Sequence, residues 1–491
     1  MTSPTRRMSP ARLIDLFDRF RGALHDVTEH APVSGDALRH ARDTLVSRIR
    51  ARVSPGDLVL LSLPNGPLFF SGLCGLLEAG AAPVLMHQDS PRAELLRMAR
   101  RCAARFALLD VDATPDMPSR DLPGSKLRVP LDGVGVCDVT EIEDVEPRTR
   151  PDLAGVPLHP TSGTTGDPKL AVRDAECAVA EAVHYVDTLG LTARDTILCT
   201  TPMSHAYAYG MCFVVPLLSS ASVVSMRRLA PRAALRTIRE LDVTVLPAVP
   251  ATLDSMMNAV AGPIAAPPIV LTAGTPLPAA TARHFAERTG VHVRPLYGTT
   301  ETGGISIASA DAATGDSGVG APMRGVDVRV RAAGVSLDGR DLGILQIRSA
   351  SMMAGYLVDE GIDESMVRDG WFETGDLAHL REDGTIHLHG REKDFINVFG
   401  MKVVPAEVEA AIAGDDRVTD VKVYAGRHAS GSEAVYAAIV PRNGFQDADA
   451  IRRLCQQQLV AFKCPTRIYF LDALPRTASG KVIRKELPGA V

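Results

Sequence analysis

An α/β fold in two domains is predicted: a large N-terminal domain of parallel-sheet α/β layers with a small β-rich unit, followed by a small α+β C-terminal domain. Three observations predict it. The chain has 491 residues, beyond the roughly 250–300 at which single cores stop growing. Strand-like apolar runs alternate with helical stretches from residue 57 to residue 247, the rhythm of βαβ units. Beyond Arg324 the pattern changes to short alternating strands with glycine turns.

The rhythm begins at Asp57 with LVLLSL as a strand, a turn through Pro64, Asn65 and Gly66, a helix over 69–78, and a second apolar strand, AAPVLM. Strands joined by a helix lie parallel in one sheet. Segment 112–150, rich in Pro, Asp and Gly, reads as a surface connection. The alternation returns as helix 172–190, strand 196–201, helix 211–218, strand 221–226, helix 231–240 and strand 243–247, giving a second α/β layer. VDVRV and GILQIRS then supply strands of the β-rich unit. In the last hundred or so residues EVEAAIAG and DAIRRLCQQQL read as helices, VTDVKVYAG and AVYAAIV as strands. No internal repeat is found.

Composition narrows the function. Hydrophobic residues are 46% and charged residues 23%, with 41 glycines and 34 prolines, as in ordinary globular chains. A net charge of −5, with no long run of one sign, excludes an electrostatic grip on nucleic acid or anionic membrane. The most apolar region, 58–86, is broken by glycines and prolines, so it predicts no membrane span. The first twenty residues lack an apolar core between charges, which predicts no secretory signal and a cytoplasmic protein. Eight scattered cysteines without a C-x-x-C pair suggest neither a disulfide framework nor a zinc site. A small-molecule substrate is the class left.

Only eight of the 53 basic residues are lysine. A lysine inside a glycine-rich motif therefore stands out, and Lys169, Lys393 and Lys481 all occupy such motifs. The strongest segment is Thr161-Ser162-Gly163-Thr164-Thr165-Gly166-Asp-Pro-Lys169. Its glycines let backbone N–H groups approach an anion, its hydroxyls donate to phosphate oxygens, and its lysine neutralises charge. A polyphosphate cradle results. It is not a Walker loop, because Gly163 and Gly166 are only three apart and Lys169 follows a proline.

This segment resembles the phosphate-binding loop of the adenylate-forming superfamily, which includes acyl- and aryl-CoA synthetases, peptide-synthetase adenylation domains and luciferases. Further segments agree in order. Tyr297-Gly298-Thr299-Thr300-Glu301-Thr-Gly303 resembles the adenine and metal motif, and Trp371-Phe-Glu-Thr-Gly-Asp376 the ribose motif. Gly390-Arg391-Glu-Lys393-Asp394 through Gly400 and Glu407 resembles the hinge region, and Pro475-Arg-Thr-Ala-Ser-Gly-Lys481 the C-terminal lysine motif. The resemblance spans nearly the whole chain and is nearest to a stand-alone acyl- or aryl-acid CoA ligase. It implies an N-terminal domain over 1–390 holding the ATP and carboxylate site, and a mobile C-terminal domain over 391–491 that pivots near Lys393.

The implied chemistry is attack of a carboxylate on the α-phosphate of ATP, then transfer of the acyl group to the thiol of coenzyme A. Such a reaction needs charge neutralisation more than covalent help. Tyr297 offers a flat face for a purine, Glu301 a hard oxygen for Mg²⁺. Asp376 can accept both ribose hydroxyl protons, and Arg391 supports the sugar or phosphate. Gly274 and Thr275, in a run resembling the segment that lines adenine, complete the nucleotide side. Lys481, following Ser479-Gly480, delivers an ammonium where carboxylate meets α-phosphate, and Gly400 leaves room for a pantetheine arm.

Pro202-Met-Ser-His205-Ala206-Tyr207-Ala-Tyr209-Gly210 follows a strand and opens a helix, where side chains face a pocket. By resemblance His205 stands where aryl- and acyl-acid activators carry histidine, and Ala273 lines the opposite wall. One of Tyr207 and Tyr209, about 200° apart on a helix, faces the pocket. An aromatic acid is expected; a medium-chain fatty acid is the alternative, because small residues also open a tunnel. The acceptor alternatives are a carrier-protein phosphopantetheine and an amine. A nucleotide-binding regulator without turnover is the alternative from another class.

Overall fold

The computed structural model describes residues 8–27, 31–111, 122–143, 145–161, 168–310, 318–337, 340–359, 361–398, 401–427, 433–476 and 482–490. The chain divides into two compact units: Met1–Asp316, Gly320–Asp327 and Ile347–Phe372 form the first, and Ser317–Val319, Val328–Gln346 and Glu373–Val491 the second.

In the first unit, Leu58–Ser62 and Ala82–Leu85 are buried at every position, as strands covered on both faces must be. They pair in parallel, and Phe106–Asp110 joins Leu58–Ser62 in the same sense. The helix between the first two, Pro67–Glu78, starts with proline, where no N–H is needed, and is buried from Pro67 to Leu77. Each leucine or phenylalanine so buried stabilises the fold by about 1.5–3 kcal/mol. Leu158–Thr161 continues the sheet in parallel, and Lys169–Val172 and Gly355–Val358 extend it antiparallel.

The segment expected to be a surface connection is instead partly sheet. Gly124–Leu131 and Gly135–Ile142 form a hairpin that adds to Phe106–Asp110 antiparallel. Its prolines and glycines mark the turn and the edge, where a lost ladder N–H is tolerated, rather than an absence of strand.

The second α/β layer has a parallel core of Ala23–Asp26, Ser222–Ser225, Thr196–Cys199, Val245–Ala248, Ile269–Thr272 and Val293–Thr299. Gly303–Ile307 closes back antiparallel on the last of these. Asn65, buried in the turn after Leu58–Ser62, ties the two layers. Its Nδ2 donates to the carbonyls of Thr201 and Met226 at 3.1 and 3.0 Å, and its Oδ1 accepts from Met203 N–H at 2.7 Å. A buried amide with three partners fixes the loop that leads into His205.

The second unit supplies most of the sheet containing Val326–Leu337, Arg340–Ser349, Trp371–Leu380 and Ile386–Arg391. Its C-terminal part pairs Val418–Arg427 with Glu433–Pro441 antiparallel and Arg467–Phe470 with Glu433–Pro441 in parallel. The helices Pro405–Ala413 and Ala448–Gln458 bury Val408, Ile412, Ile451 and Cys455 in one core with Val423, Val435 and Ile439. Lys463 donates to both Glu407 oxygens, at 2.6 and 2.7 Å. Both terminal nitrogens of Arg484 donate to the carboxylate of Asp394. No helix among the described residues is long and apolar enough to cross a membrane.

Candidate active site

Thr161 and Lys169 face each other in the register of Leu158–Thr161 and Lys169–Val172, so the strand ladder pins both ends of the proposed phosphate loop. Ser162, Gly163, Thr164, Thr165 and Gly166, between them, lie outside the described residues, as do Gly400 and Lys481. Thr161 is buried and Lys169 exposed. The Lys169 ammonium lies 4.8 Å from the centre of the Tyr356 ring, a cation–π distance. Tyr356, on Gly355–Val358, turns its hydroxyl to Glu301 and donates to Oε1 at 2.6 Å. The expected phosphate lysine and metal carboxylate therefore meet across one ring that sequence reasoning did not single out.

Glu301 sits in the turn between Val293–Thr299 and Gly303–Ile307, and its carbonyl accepts from Met353 N–H at 2.7 Å. The ladder shifts register between Tyr297 and Gly298. A side chain at 298 would meet the Gly303 carbonyl at 2.5 Å, so glycine is required there. Tyr297, Thr299 and Thr300 are half-buried, and the Thr299 and Thr302 hydroxyls are 3.1 Å apart. On the neighbouring strand's end Ala273 is buried, Gly274 is exposed with φ +88°, and Thr275 is half-buried. Among the described residues no group of three or more His, Cys, Asp or Glu could hold a metal. One carboxylate is a donor set that suits Mg²⁺, which keeps several waters and is carried largely by substrate phosphates.

In the second unit, Asp376 and Arg391 are cross-strand partners, and Arg391 Nε lies 2.9 Å from Asp376 Oδ1. Asp376 is buried to 7% exposure, and its N–H donates to the Thr374 hydroxyl at 3.0 Å. The half-exposed Arg391 orients the Asp376 carboxylate. Lys393 is exposed in the single turn Glu392–Asp394.

His205 is exposed and precedes the short helix Ala206–Ala208, which continues as a π-helical turn, Tyr209–Val214. Such turns recur at functional sites. Its ring centre is 5.9 Å from that of His87. Ala206 is half-buried, and Gly210 is buried. Tyr209 is wholly buried, edge-on to His159 at 4.8 Å and tilted against Phe213 at 5.4 Å. Tyr207 is the less buried ring. Burial pushes its phenol well above the ordinary range, opposed in part by the Ala248 backbone.

Three further residues escaped sequence reasoning. Arg173 and Glu181 form an ion pair of 2.8 Å in which both side chains are essentially inaccessible. Burial works against the Arg173 charge, but Glu181 more than offsets it and raises the pKa. His159, two residues before the loop's first threonine, is held neutral by burial and then by Arg173, well below the usual histidine range. The one legible signal was Glu181, a carboxylate on the apolar face shared by Ala178, Ala182 and Tyr185 in the helix Ala175–Leu189.

The α/β layers and the segments resembling nucleotide-binding motifs are those expected of a nucleotide-using α/β enzyme. The chain belongs to the AMP-binding enzyme family, which it matches over residues 21–357, and it matches the AMP-binding enzyme C-terminal domain over residues 407–481. It is 28% identical over 484 residues, covering 91% of each chain, to 3-[(3aS,4S,7aS)-7a-methyl-1,5-dioxo-octahydro-1H-inden-4-yl]propanoyl:CoA ligase of Rhodococcus jostii. It is 28% identical over 447 residues, 89% of each chain, to 2-succinylbenzoate–CoA ligase of Geobacillus kaustophilus. The fold is that of o-succinylbenzoate coenzyme A synthetase from Bacillus subtilis in complex with AMP, with a TM-score of 0.80, 23% identity and 98% of each chain covered.

Proposed function

We propose that this enzyme activates a planar aromatic carboxylic acid and passes the acyl group to coenzyme A. Its reaction class is that of an AMP-forming acid–thiol ligase, with ATP, Mg²⁺ and coenzyme A as its cofactors and co-substrates. Carboxylate attacks the α-phosphate of ATP to give acyl-adenylate and pyrophosphate, and the thiol then displaces AMP. Lys169 neutralises phosphate charge, and Glu301, its oxygen fixed by Tyr356, is the residue that would hold Mg²⁺. Bound Mg²⁺ supplies charge neutralisation at the phosphates. Tyr297 with Gly298, Thr299, Thr300, Gly274 and Thr275 receives the adenine side, and Asp376 with Arg391 the ribose. Lys481 approaches for the first half-reaction, and rotation near Lys393 brings the Gly400 face to the second.

The observation that supports an aromatic acid is the division of labour between two tyrosines. Tyr209 is committed to the core, which leaves Tyr207 as the ring for a pocket whose other members, Ala206, Gly210 and Ala273, are small. Stacking on one ring is worth about 0.5–1.5 kcal/mol beyond area burial, roughly two- to tenfold in preference. Comparing kcat/KM for benzoate-like acids with hexanoate- to decanoate-like acids tests this. A steady rise with chain length refutes the aromatic reading. Coenzyme A is the proposed acceptor, a carrier protein having no support among the relatives. All eight cysteines are free, which suits a cytoplasmic setting.

A further inference from the structure

The buried Arg173–Glu181 pair lies where three motifs converge. Glu181 Oε2 accepts from Arg173 Nη2 at 2.8 Å, while Oε1 accepts from the backbone N–H of Gly304 at 3.0 Å. Arg173 follows the strand Lys169–Val172 that begins at the phosphate lysine, and its Nη2 also reaches the Ser351 carbonyl at 3.3 Å. The Ser351 hydroxyl donates to the Thr302 carbonyl at 2.7 Å. The backbone on the C-terminal side of Glu301 is thus held from two directions by one ion pair.

Glycines make room for this carboxylate. A Cβ at Gly303 would come 2.5 Å from the Glu181 carboxyl carbon, and one at Gly210 would come 2.7 Å from Oε1. Gly303 ends the 297–303 motif and Gly210 ends the segment that opens the acid-side helix. Glu181 occupies the volume between them. Leaving a charge there uncompensated is expensive, so removing one partner alone should be strongly destabilising.

We propose that Glu181, set by Arg173, is the positioning residue for the 297–303 motif, holding it in register with the strand behind the phosphate loop through the Gly304 N–H. It touches no nucleotide and acts through the backbone that carries Tyr297 and Glu301. This rests on the reading that the motif receives adenine.

The test is AMP binding in metal-free buffer by calorimetry, read beside thermal unfolding. Combining Arg173→Met with Glu181→Leu replaces the pair by apolar groups of similar volume, a change that is often neutral for stability. This variant is expected to melt near the parent yet bind AMP about tenfold more weakly, ~1.4 kcal/mol. Glu181→Gln keeps an acceptor for Gly304 but leaves Arg173 without its counter-charge, so it should lose stability while binding AMP nearly as well as the parent. Should the double variant fail to fold, Gly210→Ala displaces the carboxylate without removing it and is expected to weaken AMP several-fold. Parent-like AMP affinity in a folded double variant or in Gly210→Ala overturns the proposal, as does equal weakening in Glu181→Gln. Tyr297→Ala tests the underlying reading separately. If it weakens AMP while the pair variants do not, the positioning role alone fails; if it has no effect, the adenine reading fails with it.

Discussion

Tyr356 donates its phenol hydrogen to Glu301 across 2.6 Å, while its ring faces the Lys169 ammonium. The carboxylate is thereby oriented, and one ring sets the spacing of a cation and an anion proposed to meet a polyphosphate. Tyr356→Phe removes the hydrogen bond and keeps the ring. A hydrogen bond to a charged group contributes about 1.5–3 kcal/mol, so the Mg²⁺ concentration for half-maximal ATP–pyrophosphate exchange is expected to rise severalfold or more. Glu301→Gln should raise it further. A metal dependence unchanged in both variants would remove Glu301 from the site.

The two half-reactions should separate at Lys481. Lys481→Ala is expected to slow adenylation by the order of 10²–10³-fold, as loss of one charge-stabilising donor does, and to leave thioester formation from supplied acyl-adenylate nearly intact. Rapid-quench assays of each step check this. Lys393→Pro should show the opposite bias, because a fixed φ hinders a pivot.

Stability should fall with acidification below neutrality. His159 is neutral in the folded protein, its pKa lowered by burial and by Arg173, whereas the unfolded chain takes a proton near pH 6.5. From about pH 6.5 downward to the folded value the unfolded state binds the extra proton, so stability is lost as pH falls, at up to about 1.4 kcal/mol per pH unit. His25 and His184, also lowered by burial, add to the slope. His159→Phe, which keeps a ring against Tyr209, should flatten the dependence between pH 5 and 6.5 in denaturant titrations. An unaltered slope would mean that His159 does not titrate on unfolding.

Gly303→Ala should be costly. The residue has φ +71°, and its new methyl would meet the Glu181 carboxyl carbon at 2.5 Å. Left-handed strain and overpacking each cost about 1–3 kcal/mol, so chemical denaturation should show a loss of at least about 2 kcal/mol. Gly290→Ala, left-handed at φ +74° but with nothing within 4 Å, gives the strain alone.

The candidate site residues divide sharply into those that local pattern carries and those that it does not. Thr161, Lys169, Glu301 and Asp376 lie in short segments where glycine and hydroxyl residues cluster for a chemical reason, and those segments are visible in one dimension. Tyr356 is 55 residues from Glu301, and Arg173 is 178 from Ser351. The ladder between Lys169–Val172 and Gly355–Val358, together with the Met353 N–H on the Glu301 carbonyl, brings such residues together, and no spacing rule encodes that pairing. The parallel cores were legible because a strand buried on both faces is a continuous apolar run. The hairpin over Gly124–Leu131 and Gly135–Ile142 was not, because an edge strand with one wet face carries charges and turn residues that mimic a loop.

The bond from Arg484 to Asp394 has a kinematic consequence. Asp394 adjoins Lys393, and Arg484 lies three residues beyond Lys481, so a two-pronged link fastens the segment after the lysine to the residue beside the proposed pivot. With residue 393 as the proposed pivot, a crank so pinned would transmit rotation without slack, and a turn there would be delivered to the segment beyond residue 481 as one degree of freedom. Cutting the pin with Arg484→Met would uncouple angle from position, so the arm could swing while its working end lagged.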